Sequence, residues 1–208
     1  MAKRVEGRSD RLLQCAKEEF LEMGFQEASL RVIAAKAGTT TGSIYTRFED
    51  KNSLFHALVD DTINELLNWV ESSQNRFAEK PAAEKEEEVF TYQPDQWDQL
   101  VNYIYDNWDV FRLLLCCNDI DCYAKMIHSL IEIEVDYTYR FFESTNNDAV
   151  TSGRLSPMMI HILSSSFYEG LFETVRHEMP KDEALRYVHQ LRRFFLCGWA
   201  DLLKAKLE

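Results

Sequence analysis

The sequence predicts an all-α protein with a small N-terminal domain and a larger helical body. Apolar residues recur every three or four positions nearly throughout, and only seven glycines and four prolines interrupt 208 residues. Near the N-terminus, two short helical segments are joined by a tight, glycine-containing turn. A composition of 46% hydrophobic and 28% charged residues is that of a globular chain. No apolar run reaches the roughly 18 residues that a membrane span requires. The opening residues lack the apolar core of a secretion signal, so a cytoplasmic protein with no membrane partner is expected. Five cysteines, with Cys15 and Cys197 isolated, suit a reducing compartment.

Taken in order, Leu12, Leu13, Ala16, Phe20 and Met23 define a first helix, which Gly24 can end because glycine tolerates left-handed geometry. Two short helices follow. Asp50 is placed to cap a longer one carrying Leu54, Leu58, Ile63, Leu66, Leu67 and Val70. Residues 77–94, with Pro81, Pro94 and the run Glu84-Lys85-Glu86-Glu87-Glu88, read as a solvated connector. From Trp97 through Leu100, Val101, Ile104, Trp108 and Phe111 to Leu115 the apolar stripe is unbroken, which predicts one helix. Another carries Tyr123, Met126, Ile127, Leu130, Ile133, Tyr137 and Phe141. Ser156-Pro157 is a helix start, since serine caps while proline occupies the first turn, where its missing N–H is not needed. That helix runs to about His177, and Pro180 separates it from a last one over about 182–206. The total is about nine helices, with a domain boundary after residue 50.

Net charge is −12, which at first argues against a nucleic-acid partner. Its distribution removes that objection. Residues 1–52 hold nine basic and eight acidic side chains, a balance of +1, and the remaining 14 basic and 27 acidic side chains sum to −13. The acidic bulk thus lies outside the segment that would meet DNA, and it should keep the protein off random sequences.

That segment is Ser29-Leu30-Arg31-Val32-Ile33-Ala34-Ala35-Lys36-Ala37-Gly38-Thr39-Thr40-Thr41-Gly42-Ser43-Ile44-Tyr45-Thr46-Arg47-Phe48. Ile33, Ala34 and Ala37 would face inward, small enough to let a second helix cross closely. Gly38 permits the turn, Thr40 caps the next helix, and Ile44 and Phe48 point inward. Thr41, Ser43, Tyr45 and Arg47 are left outward, the arrangement of a helix-turn-helix.

Ile33-Ala34, Ala37-Gly38, Gly42, Tyr45, Phe48, Lys51 and Leu54, with Ala16, Phe20 and Gly24-Phe25 before them, resemble the DNA-binding domain of the TetR family of transcriptional regulators. The motif match covers roughly the first quarter of the chain. The resemblance implies three N-terminal helices joined by a fourth to a ligand-binding and dimerisation domain, and a homodimer on a near-palindromic double-stranded operator. It further implies repression relieved by a small-molecule effector, with no cofactor. Carried over residue by residue, Thr40, Thr41, Ser43 and Tyr45 look like base or phosphate contacts and Lys51 like a phosphate contact, with Arg31, Thr46 and Arg47 completing the DNA-facing set. Arg47 stands where the family often has histidine or tyrosine, and Thr46 where an aromatic residue is common.

Family likeness also implies an effector pocket among the middle helices, for which Trp97, Tyr103, Trp108, Phe111, Cys116, Tyr123, Met126, Ile127, His128, Phe141 and Phe167 are the candidates. The same residue types fill ordinary cores. The two C-terminal helices carry more apolar side chains than one buried face requires, which predicts a dimer interface including Phe172, Leu191, Phe194 and Trp199. Two other readings stay open: a helical interaction protein, and a thiol- or metal-responsive regulator using Cys116, Cys117 and Cys122. The cysteine spacing fits no C-x-x-C pair of the structural zinc type. No H-E-x-x-H, G-x-S-x-G or phosphate-binding glycine loop occurs, so nothing points to an enzyme.

Overall fold

A computed structural model of the chain describes residues 2–89, 91, 94–117 and 120–204, with side chains from Asp10 onward. The described residues form ten helices and no strand: α1 (Ala2–Glu27), α2 (Leu30–Ala37), α3 (Thr41–Phe48), α4 (Lys51–Ala78), α5 (Ala82–Glu88), α6 (Pro94–Asp106), α7 (Trp108–Cys116), α8 (Cys122–Thr145), α9 (Pro157–Arg176) and α10 (Lys181–Leu203). The architecture is all-α, as the spacing of apolar residues predicts.

Local chemistry sets most helix ends where expected. Gly24 (φ 71, ψ 173) interrupts α1, Asp50 Oδ1 accepts the Ser53 N–H at 2.7 Å, and Ser156 Oγ accepts the Met159 N–H at 3.1 Å. Pro180 sits just before α10. Three differences arise from interactions that periodicity does not report. Helix α1 begins at Ala2, well before Leu12. The expected connector contains α5, because Lys85 is buried and donates to Ala78 O at 3.2 Å and Ser144 Oγ at 2.7 Å. The stripe from Trp97 to Leu115 is divided into α6 and α7 at Asn107 (φ −111, ψ 30), with no glycine or proline to mark the break.

The helices group into two compact units. The first comprises Met1–Glu65 and Asn107–Tyr123, so compared with a boundary after residue 50 it also takes in the start of α4 and all of α7. In it, α2 packs on α1 and α3, and α7 packs on α1, where Lys17 meets Asp109 at 2.9 Å. Ala16, Phe20, Ile33, Ile44, Leu54, Phe55 and Val59 are all fully buried. Each large apolar side chain so enclosed is worth about 1.5–3 kcal/mol relative to exposure. Phe20 and Phe55 meet edge to face at 5.4 Å, a favoured aromatic geometry.

The second unit comprises Leu66–Asp106 and Ala124–Glu208. Helix α10 packs on α6 and on α9. At one end of the unit Phe141, Phe142, Ala149, Leu155, Ile160 and Leu203 form a buried cluster. The loop after α8 is held by Asn147, which donates to Leu203 O at 3.0 Å, and by the Arg154–Asp148 ion pair at 2.5 Å.

Candidate nucleic-acid interface and ligand cavity

Helices α2 and α3 are short, and their relative position is fixed by the turn between them. Gly38 takes the left-handed conformation (φ 67, ψ 36) and its N–H donates to Ala35 O, while the Thr39 N–H donates to Ala34 O at 2.9 Å. This paired closure satisfies the last carbonyls of α2 and turns the chain sharply. Thr40 follows in extended geometry, and its Oγ1 accepts the Ser43 N–H at 3.2 Å to begin α3. Glu49 (φ 62, ψ −54) forms a tight γ-turn, closed by the Asp50 N–H on Phe48 O at 2.6 Å, between α3 and α4.

With Ile33, Ala34, Ala37 and Ile44 buried, the polar side chains of the two helices face outward. Arg31, Thr40, Ser43, Thr46 and Arg47 are exposed, Thr41 and Lys51 are half-buried, and Tyr45 is 53% exposed. Thr46 Oγ1 donates to Gly42 O at 2.8 Å, and the Arg47 guanidinium lies 5.0 Å from the Phe48 ring centroid. Lys51 differs from expectation in having intramolecular partners. Its ammonium donates to Gln26 O at 3.0 Å and Ala28 O at 3.1 Å, and it sits 4.8 Å from the Phe25 ring centroid. It therefore ties the end of α1 to the start of α4, whatever else it touches.

Residues 12–58 match the sequence profile described as "Bacterial regulatory proteins, tetR family", and these residues build the helix-turn-helix just described. Residues 12–58 are thus a TetR-family DNA-binding segment. Over 70 residues it is 34% identical to YvdT of Bacillus subtilis (strain 168), an uncharacterised HTH-type transcriptional regulator, an alignment spanning 34% of this chain and 36% of the relative. Over 48 residues it is 42% identical to the HTH-type transcriptional repressor BepR of Brucella suis biovar 1 (strain 1330), spanning 23% of each. These curated relatives are thus matched over about a third of their length or less. In fold the likeness extends further. A TetR-like transcriptional regulator from Rhodococcus sp. RHA1 superposes with a TM-score of 0.57 at 18% identity, over 92% of this chain and 96% of that one.

Within the second unit lies a cavity of about 400 Å³, a size suited to a small organic ligand. Of the eleven residues expected in an effector pocket, Trp97, Phe141 and Phe167 line it. The other eight lie elsewhere. Trp108, Phe111 and Cys116 belong to the first unit, because the break at Asn107 lets α7 pack on α1, and Tyr123, at the start of α8, falls in the same unit. Met126 and Ile127 are buried in packing, Tyr103 is half-buried on α6, and His128 is exposed beside Glu132 at 3.2 Å.

The polar cavity residues absent from the set expected from sequence include Glu134, Ser164, Tyr168 and Arg192. Three of them had a signal. Glu134 falls four after Leu130 and three before Tyr137, Ser164 four after Ile160 and three before Phe167, and Arg192 four after Val188 and three before Phe195. Polar groups on buried stripes are more informative than further aromatics. Gln74 donates to Glu134 Oε2 at 2.8 Å, and the Arg192 guanidinium lies 4.9 Å from the Trp97 ring centroid. Burial raises the Glu134 carboxyl above its ordinary range, against the opposing influence of Arg192 and the Gln74 hydrogen bond. Burial and the nearby Glu134 carboxylate raise the Tyr168 phenol well above its own, so it remains a donor.

The expected interface residues differ in exposure. Phe172 is 1% exposed and so already enclosed by its own chain. Leu191 packs close against Gly170, where an added Cβ would meet it at 3.2 Å, and Trp199 lines the cavity. Only Phe194, 75% exposed, presents a large apolar surface, joined on α9 by Met158, Met159 and Ile162. Of the cysteine cluster, Cys116 is exposed with its Sγ 3.7 Å from that of Cys117, while Cys122 is buried and lies 3.8 Å from the His56 ring. Among the described residues no three His, Cys, Asp or Glu side chains come together as a metal site, and no helix is long and apolar enough to cross a membrane.

Proposed function

We propose that this chain is a cytoplasmic, DNA-binding transcriptional regulator, a homodimeric repressor of a palindromic operator that a small ligand releases. The observation that carries the reading is the helix-turn-helix itself: α3 is capped by Thr40, and Thr41, Ser43, Tyr45 and Arg47 are disposed along its outer side. Arg31, Thr46 and Lys51 flank them as further DNA contacts. The likeness to BepR, a transcriptional repressor, supports the sign of regulation. The cavity in the second unit supports ligand response.

The test is a mobility-shift assay on inverted repeats from the DNA flanking the gene, repeated with compounds that bind the protein. Effector coupling of about 1–3 kcal/mol weakens operator binding roughly 5- to 150-fold. A protein that prefers no inverted repeat over random DNA is not an operator-specific regulator. A ligand that binds yet leaves operator affinity unchanged is not the effector. A second reading, thiol response, draws on the exposed Cys116 and its contact with Cys117.

A further inference from the structure

Cys116, Cys117 and Cys122 lie between the end of α7 and the start of α8, within the first unit. Consecutive side chains on a helix do not face each other, but Cys117 has left helical geometry (φ −101, ψ 52), and its Sγ lies 3.7 Å from that of Cys116. Cys116 is exposed, so a solute reaches the pair through it. Cys117 is buried behind it, with its Sγ 3.9 Å from Phe20 O on α1. Cys122 is buried against the His56 ring.

Geometry decides what such a pair can hold. Neighbouring Cα atoms are about 3.8 Å apart, closer than the roughly 4.4–6.8 Å that disulfides span, so direct S–S bonding between neighbours strains the chain. Among the described residues no third His, Cys, Asp or Glu joins the pair, whereas a structural zinc site is closed by a tetrahedron of ligands. With bonds of about 2.3 Å, a linear two-coordinate metal would hold its sulfurs about 4.6 Å apart, and a pyramidal centre with near-right angles about 3.3 Å. The observed 3.7 Å is nearer the second. Soft centres select thiolate, and the Cys116 thiol supplies it near neutral pH, being lowered to about 7 chiefly by its hydrogen bond with Cys117, with Arg112 acting in the same direction.

We propose that Cys116 and Cys117 form a chelating site for trivalent arsenic that carries one organic group. In water such an agent bears two hydroxyls. The Cys116 sulfur attacks first and the Cys117 sulfur follows: two As–S bonds form, two As–O bonds break, and each hydroxyl leaves as water with the proton of one thiol. Arsenic stays trivalent, so neither oxidant nor reductant is needed. This rests on the thiol-response reading above and adds the chemical class of the agent. Because Cys117 abuts α1, whose Phe20 meets Phe55 of α4 edge to face at 5.4 Å, bridging the pair acts on the core that carries the reader helices.

The experiment titrates the full chain, kept reduced by a phosphine, with phenylarsine oxide and follows the adduct by intact mass spectrometry. One phenylarsenic group per chain should bind, resist excess glutathione and be released by 2,3-dimercaptopropanol, the signature of two linked bonds. Removing either bond should weaken binding roughly 100- to 10,000-fold, so Cys116→Ser and Cys117→Ser should both lose it, while Cys122→Ser and Cys197→Ser keep it. Cys116 is exposed, and its substitution keeps the test open if Cys117→Ser fails to fold. An adduct that glutathione strips, binding indifferent to Cys116→Ser, or binding lost in Cys122→Ser overturns the proposal. Shift assays on an inverted repeat separate the two readings. Chelation that leaves operator affinity unchanged supports the site while counting against thiol response. Loss of operator binding on alkylation of Cys116 by iodoacetamide, with no chelation of the arsenical, overturns the site and leaves thiol response standing.

Discussion

Lys36 Nζ lies 2.9 Å from Glu19 Oε2, and Glu19 Oε1 accepts the Ser29 N–H at 3.3 Å, so one carboxylate of α1 holds both ends of α2. Glu19 is buried and does for α2 what a capping side chain does, since Ser29 makes no side-chain cap of its own. Glu19→Ala should destabilise the protein by about 1–2 kcal/mol, and Glu19→Gln by less, because the amide oxygen can still accept from Ser29. The hydrogen bond to Glu19 raises the Lys36 ammonium above the ordinary lysine range. A raised folded value makes this contribution complete below that range, and lost as pH rises through the folded value. Urea unfolding followed by circular dichroism checks both points, and an unchanged midpoint for Glu19→Ala would show that α2 is held otherwise.

Contacts to bases and to phosphates respond differently to substitution, which separates Thr41 and Ser43 from Lys51. Substituting Thr41 or Ser43 should change which bases are preferred, because outward residues near the start of a reader helix approach base edges. Lys51→Ala should weaken binding to all sequences alike and flatten the salt dependence by roughly one unit per lost phosphate contact. It should also lower the unfolding midpoint, since Lys51 ties Gln26 and Ala28 to α4. Randomised-site selection that returns the wild-type consensus for both α3 variants would remove those residues from base recognition. A lowered midpoint with an unchanged salt slope would leave Lys51 only its structural tie.

The Cys116 thiol is lowered to about 7, chiefly by its hydrogen bond with Cys117. Its thiolate fraction therefore grows as pH rises through that value, and alkylation by iodoacetamide should be half-maximal at Cys116 near pH 7. Cys117→Ala should move that midpoint upward, toward the ordinary thiol range. Peptide mass spectrometry over a pH series reads both, and faster labelling at Cys197, which is also exposed, would show that the pair confers no reactivity.

What was legible in the sequence was the chemistry that acts over a few residues. The turn at Gly38, the caps at Thr40, Asp50 and Ser156, and the inward set Ile33, Ala34, Ala37 and Ile44 depend on backbone geometry and short spacing. What escaped depended on distant partners. Lys85 sits in a run of charges that reads as solvated, yet it bonds to Ser144, 59 residues on. Asn107 ends a helix inside an unbroken apolar stripe, and that break decides which aromatic residues reach the cavity and which fill the core of the first unit. Phe172 and Phe194 look alike as surplus apolar residues, and only packing separates the buried one from the exposed one.

That separation sharpens the test of dimerisation. Phe194 is 75% exposed on α10, and Met158, Met159 and Ile162 are 66%, 41% and 48% exposed on α9, which packs against it. Large apolar side chains in such number on two adjoining helices are unusual for an isolated chain and are what a self-complementary two-fold contact buries. The contact matters for DNA, because two half-sites about 34 Å or a small multiple apart can be held together only by two linked readers. Phe172→Glu would be uninformative, since it places a charge in the chain's own core. Phe194→Asp combined with Ile162→Asp changes only exposed positions and should yield soluble monomers with unchanged helicity. These should lose tight operator binding while keeping weak, salt-sensitive binding to any DNA. Sedimentation velocity decides the matter: an unchanged dimer places the interface elsewhere, and monomers that still bind the full operator tightly would show that pairing through α9 and α10 is not needed to read it.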